Sequence, residues 1–165
     1  MELTPHLTTP PARVTSIDAT VWRDEGKVHF RYLVEGADKL VLPTGIAGRA
    51  DELWRTTCFE AFIAGPGTAY REFNFAPSGQ WAAYAFEAPR QGLAIADDHV
   101  EVWLDGGDDW IAVEAAVTGS FEADARLLLS AVIEELDGTK SYWALAHCSD
   151  KPDFHHPDCF VARLP

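Results

Sequence analysis

Apolar and polar residues alternate through most of this chain, in short runs broken by glycine, proline and aspartate. ARVTSIDATVWR, KVHFRYLVEG and DKLVLP come first. LWRTTCFEAFIAG, TAYREFNFAPS and GQWAAYAFEAP follow. IADDHVEVWLDG, DWIAVEAAVTG, LLLSAVIEELDG, KSYWALAHC and CFVARL complete the series. A period of two places successive side chains on opposite faces of a strand. Turn signals at Glu35-Gly36, Gly65-Pro66-Gly67, Pro77-Ser78-Gly79, Asp105-Gly106-Gly107 and Asp137-Gly138 separate the runs. Together these predict an all-β protein, a single antiparallel β-sandwich of about nine to eleven strands with at most one short helix. The stretch FEADARLLLSAVIEEL has a fair helical period, with Ser120 available as an N-cap. A short helical turn over 122–127 feeding a strand over 129–136 suits the Asp137-Gly138 hairpin signal better. Residues 1–11, rich in Thr and Pro, read as a loose lead-in, and 12–165 as one domain without repeats or linkers.

The polar positions between Leu53 and Arg90 alter this plain picture. One face of LWRTTCFEAFI carries Trp54, Thr56, Cys58, Glu60 and Phe62. In YREFNF, Tyr70, Glu72 and Asn74 share a face against Arg71, Phe73 and Phe75. If the two strands are neighbours, Glu60, Glu72 and Asn74 form a polar patch ringed by aromatics, the make-up of a small-ligand site. Trp54 or Trp81 would stack on a flat or sugar-like ligand, while carboxylates, an amide and the Arg90 guanidinium read its hydroxyls. The plain alternative is an ion pair of Glu60 or Glu72 with Arg71 or Arg90. Two carboxylates could also act as general acid and base.

The 165 residues amount to one domain with room for a real core. The net charge of −13 makes nucleic acid and anionic membrane surfaces poor partners. The start of the chain shows no positive n-region followed by an apolar stretch, so a cytoplasmic protein is expected, with its three cysteines reduced. A Cys148–Cys159 disulfide is the alternative for an exported protein. Cys58, in mid-strand, reads as a small buried apolar residue rather than a nucleophile paired with His147. The acidic runs near Asp97 and Asp105 lack the spaced oxygens of an EF-hand.

HCSDKPDFHHPDCF, near the end of the chain, gathers His147, Cys148, Asp150, Asp153, His155, His156, Asp158 and Cys159. Imidazole and thiolate suit zinc, yet the spacing matches no paired metal motif. Pro152 and Pro157 instead predict an extended or turning loop, placed to fold over the polar patch and supply Lys151, Asp153 or His155.

DELWRTTCFEAFI, YREFNFAPSGQWAAYAFEAPR and HCSDKPDFHHPDCFVARL together resemble the DOMON-like domains, relatives of family 9 carbohydrate-binding modules. The resemblance spans about residues 12–164 and rests on Trp54, Cys58, Phe59 and Glu60, then Glu72 and Asn74, then Trp81 and Arg90. The closing motif adds His147, Lys151, Pro152, Asp153, Phe154 and His155. It implies a β-sandwich that binds sugar or haem in a pocket without catalysis. The one methionine, Met1, excludes Met/His haem ligation. No cofactor is expected.

The sequence-level expectation is thus a stand-alone domain that binds a sugar or sugar-like metabolite around Glu60, Glu72 and Asn74. Trp54 or Trp81 stacks, Arg90 and Lys151 meet charge, and His147, Asp153 and His155 close the pocket. The rivals are an enzyme using Glu60 or Glu72 with His147 as acid/base, and a protein-interaction module working through an edge strand.

Overall fold

The computed structural model describes residues 1–165, and nearly all of its regular structure is strand. In chain order these are β1 (Glu2–Pro5), β2 (Ser16–Asp24), β3 (Lys27–Glu35), β4 (Gly48–Arg49), β5 (Cys58–Ala64), β6 (Tyr70–Phe75) and β7 (Gln80–Phe86). Then come β8 (Ala94–Ile95), β9 (His99–Gly106), β10 (Trp110–Thr118), β11 (Arg126–Glu134), β12 (Lys140–Ala144) and β13 (Ala162–Arg163). Two single 3-10 turns, Leu53–Arg55 and Pro157–Cys159, are the only helical elements. No helix is long and apolar enough to cross a membrane.

The expected two-sheet sandwich is not what forms. All thirteen strands belong to one sheet, ordered β4-β7-β6-β5-β11-β12-β1-β2-β3-β10-β9, with β13 on β11 and β8 on β7. The sheet curls into a nearly closed barrel. Its far strands approach without pairing, Trp81 of β7 standing edge-on to His99 of β9 at 5.8 Å.

The strand that makes the sheet continuous is β1, inside the segment expected as a loose lead-in. Glu2 and Leu3 pair with Asp18 and Ile17 of β2, while Thr4 and Pro5 pair with Ala144 and Trp143 of β12. Leu3 is buried in the main core, so one apolar side chain pins a short strand that bridges two arms. Pro5, at the end of the strand, costs the ladder little.

Two other expectations change. The helical turn over 122–127 is absent, because β11 already begins at Arg126, pairing with Arg163 and then Ile63. DKLVLP contributes only the isolated bridge Leu40–Glu135. The tight β2–β3 hairpin closes through Glu25 and Gly26, both with positive φ (46° and 77°), as a two-residue turn matched to strand twist requires.

The main core lies between the arms. Phe30, Tyr32 and Val34 from one arm meet Phe59, Phe73, Phe75 and Leu129 from the other. The Tyr32 hydroxyl crosses this core and donates to the Glu60 carbonyl at 2.7 Å. A second cluster sits on the opposite face of β5, β6 and β11. Phe62, Tyr70, Phe86 and Leu128 pack there against Phe154, Cys159 and Phe160 of the C-terminal loop. That loop, with the segment before β5, builds the walls of the candidate site.

Candidate functional site

Register decides which polar side chains meet. β6 and β7 form a hairpin centred on Ser78, which pairs Glu72 with Tyr84 and Asn74 with Ala82. β5 sets Glu60 opposite Asn74 and Phe62 opposite Glu72. β11 adds Ser130 opposite Glu60. A polar row Asn74–Glu60–Ser130 therefore crosses three neighbouring strands on the face away from the main core.

These groups are buried and partnered. Ser130 Oγ donates to Glu60 Oε2 at 3.0 Å, and Asn74 Nδ2 donates to Glu72 Oε1 at 2.7 Å. Cys58 Sγ lies 3.6 Å from Asn74 Oδ1, a weak donor behind the amide. Burial raises the pKa of both carboxyls, and the charge of Glu72 raises that of Glu60 further, only partly offset by Ser130. Desolvation disfavours the charged form of each, and two neighbouring negative charges disfavour one another.

Above the row lies a cleft of about 630 Å³, lined by Glu60, Glu72, Arg90 and His155 and by the rings of Trp54, Phe62, Tyr84, Phe86, Tyr142 and Phe154. Trp54 stands at its lip, about half exposed, on the 3-10 turn Leu53–Arg55 rather than on a strand. The Arg55 guanidinium covers part of its ring at 5.4 Å. At the rim, Tyr84 donates to Asp51 Oδ1 at 2.6 Å, and Arg49 holds the same carboxylate at 2.7 Å. Burial and the Asp51 carboxylate push the Tyr84 phenol up to about 12.

The wall opposite is a relay of hydrogen bonds. The Arg90 backbone N–H donates to Tyr70 Oη at 3.2 Å, and Tyr70 Oη lies 2.6 Å from His155 Nδ1. A tyrosine hydroxyl that donates to Nδ1 leaves the proton of the neutral imidazole on Nε2. That nitrogen faces Glu72 Oε2 at 3.8 Å. Burial, helped by the Arg90 charge, lowers His155 to about 4, so the pair is a neutral imidazole beside a carboxyl rather than a salt bridge. Arg90 itself has a positive φ of 59°, held in a tight turn, and its guanidinium pairs with Asp153 at 2.6 Å.

The structure divides the expected site residues into three groups. Trp54, Glu60, Glu72, Arg90 and His155 line the cleft. Asn74 and Asp153 stand behind it, the first holding Glu72 and the second holding Arg90 and accepting from the His155 backbone N–H at 3.1 Å. Trp81, His147 and Lys151 lie elsewhere. Trp81 pairs with Phe75 and points to the main core. His147 Nε2 bonds the Thr4 carbonyl at 2.8 Å, and its ring meets His6 edge-on. Lys151 is exposed and forms no ion pair. The histidine at the carboxylates is thus His155, not His147.

Several lining residues escaped the sequence reading. Tyr84 was recoverable, since a hairpin centred on Ser78 must set it beside Glu72. Asp51, in the segment before β5, and Tyr142, on β12, had no local signal, and neither had Ser130, which stands behind Glu60 on β11, because tertiary packing brings them in.

No protein-family model and no curated protein matches this chain. Among solved structures, a protein of Bacteroides uniformis ATCC 8492 named "putative carbohydrate-binding protein" has a similar fold. The TM-score is 0.67 at 13% identity, covering 95% of this chain and 83% of that one. At that identity the likeness concerns the fold alone.

Proposed function

We propose that the cleft binds a sugar or sugar-like polar metabolite without chemical change. What carries the reading is the pairing of two buried carboxyls, Glu60 and Glu72, with an exposed tryptophan at the lip of one cleft. A pyranose presents an apolar C–H face and an equatorial ring of hydroxyls. The first suits stacking on Trp54, and the second suits groups that both donate and accept. A protonated Glu60, the His155 Nε2–H and the Arg90 guanidinium donate, while Glu72 and Tyr84 accept. The cleft volume falls in the usual range for small-molecule sites. The similar fold of the Bacteroides protein supports the same class of ligand.

Isothermal titration and thermal unfolding against a panel of mono- and disaccharides test this. A ligand specific to the folded state adds about 2.7 kcal/mol of stability at a hundredfold excess over its Kd. Binding should vanish in Trp54→Ala and Glu72→Gln while both variants unfold near the wild-type midpoint without ligand. A flat panel in a cooperatively melting protein would overturn the proposal.

A further inference from the structure

The C-terminal loop between β12 and β13 carries Phe154 and His155 into the cleft, yet over residues 145–161 its only regular element is the 3-10 turn Pro157–Cys159. Loops of this length inside a compact domain need their own reason to hold one shape. Behind the cleft wall, one ligand atom each from Cys148, His156 and Cys159 lies within 4.8 Å of the other two. All three cysteines of the chain are free thiols, so nothing covalent ties the loop.

We propose that Cys148, His156 and Cys159 bind a thiophilic divalent cation of the zinc class, which clamps the loop that walls the cleft. Two thiolates and one imidazole supply three of four tetrahedral positions, and Cys148, exposed at the surface, leaves the fourth to water. A zinc ion with Zn–S near 2.3 Å holds its sulfurs about 3.8 Å apart. The atoms therefore draw in by at most about 1 Å, within reach of side-chain rotation. His155 lines the cleft, while His156, in extended backbone with φ −69° and ψ 123°, brings a ring nitrogen to the two cysteines. Successive histidines then serve two sites, His155 the cleft and His156 the metal. The Asp158 backbone N–H donates to His156 Nδ1 at 3.3 Å, which fixes the orientation of that ring. Thiols must lose their protons to ligate, so metal binding releases protons and strengthens as pH rises.

The test uses the full chain, kept reduced so that no disulfide forms. One equivalent of Zn²⁺ should raise the unfolding midpoint and protect Cys148 from alkylation. Co²⁺ as a spectroscopic probe should give thiolate-to-metal charge-transfer absorption with intense tetrahedral d–d bands. Cys148→Ser, at an exposed position that folding tolerates, should abolish the midpoint shift and the Co²⁺ bands, and His156→Ala should abolish all three signals where it folds. Absence of the Co²⁺ bands in the reduced wild type, or their persistence in Cys148→Ser, would refute the site. So would an equal midpoint shift with Mg²⁺, which prefers oxygen ligands.

Discussion

Two outward-facing rows of the same sheet meet opposite fates. On one arm, Thr20, Arg31, Glu114 and Trp103 lie side by side across β2, β3, β10 and β9, and all face solvent. On the other, Ala82, Asn74, Glu60, Ser130 and Ala144 lie side by side across β7, β6, β5, β11 and β12, and all are buried. Both rows contain carboxylates. Arg31 and Glu114 form an ion pair at 3.0 Å in the open, where water and salt screen it to little net worth. Glu60 and Glu72 lose their water and shift their pKa instead. A sheet face becomes a site where loops cover most of it, because the cover strips water from the polar groups while the remaining gap admits a ligand.

The sharpest way to break this comparison is to truncate the same kind of position on each arm. Phe62, outward on β5 and buried, should cost about 3–5 kcal/mol as Phe62→Ala. Arg31→Ala, outward on β3, should change stability by about 0.5 kcal/mol or less. Equal losses in urea unfolding would mean that the covered face is not a second core.

Acid titration gives the next largest effect. His155 is held at about 4 against 6.5 in the unfolded chain, so the unfolded state binds more protons between those values. Stability attributable to His155 is complete above pH 6.5 and is lost as pH falls towards 4, by about 3 kcal/mol in all. His155→Gln should flatten that limb relative to wild type. An unchanged slope would place a charged imidazole in the cleft.

Glu60 acts with the opposite sign. Its folded pKa is raised, so the folded state holds the extra proton, and its contribution is present in acid and declines as pH rises above the unfolded value of 4.5. Glu60→Gln, which keeps the Ser130 contact and cannot ionise, should remove this alkaline decline. Below pH 6.5 the two groups oppose each other, so only the single variants separate them. If Glu60→Gln melts like wild type at every pH, the carboxyl is less dry than its burial implies.

Much of this was legible beforehand, for identifiable reasons. Side-chain alternation placed Glu60 and Phe62 on one face of β5, and Glu72 on the matching face of β6, because strand geometry leaves no other choice. The antiparallel partnership of those two strands follows from the short Gly65-Pro66-Gly67 connection. Trp81 was misplaced because its strand was read without its register. Counted from Ser78, it falls opposite Phe75 and so on the core face. Trp54 reaches the cleft from a 3-10 turn, a route that strand spacing could not reveal. His147 and His155 lie in one loop and look alike as pocket-closing residues in the sequence, and only the packing of that loop against Tyr70 and Phe62 separates them.

By itself, then, the sequence determined the strands, their two faces and the polar residues that share a face, since all of these depend on neighbours a few positions apart. The tertiary structure decided three further matters. It joined two arms into one curled sheet through β1, whose four residues carry too little pattern to announce a strand. It covered one outer face and left the other wet, because cover comes from loops whose path no local periodicity encodes. It also brought Cys148, His156 and Cys159 together, since the distance between side chains in an irregular loop depends on what the loop packs against, not on how many residues separate them.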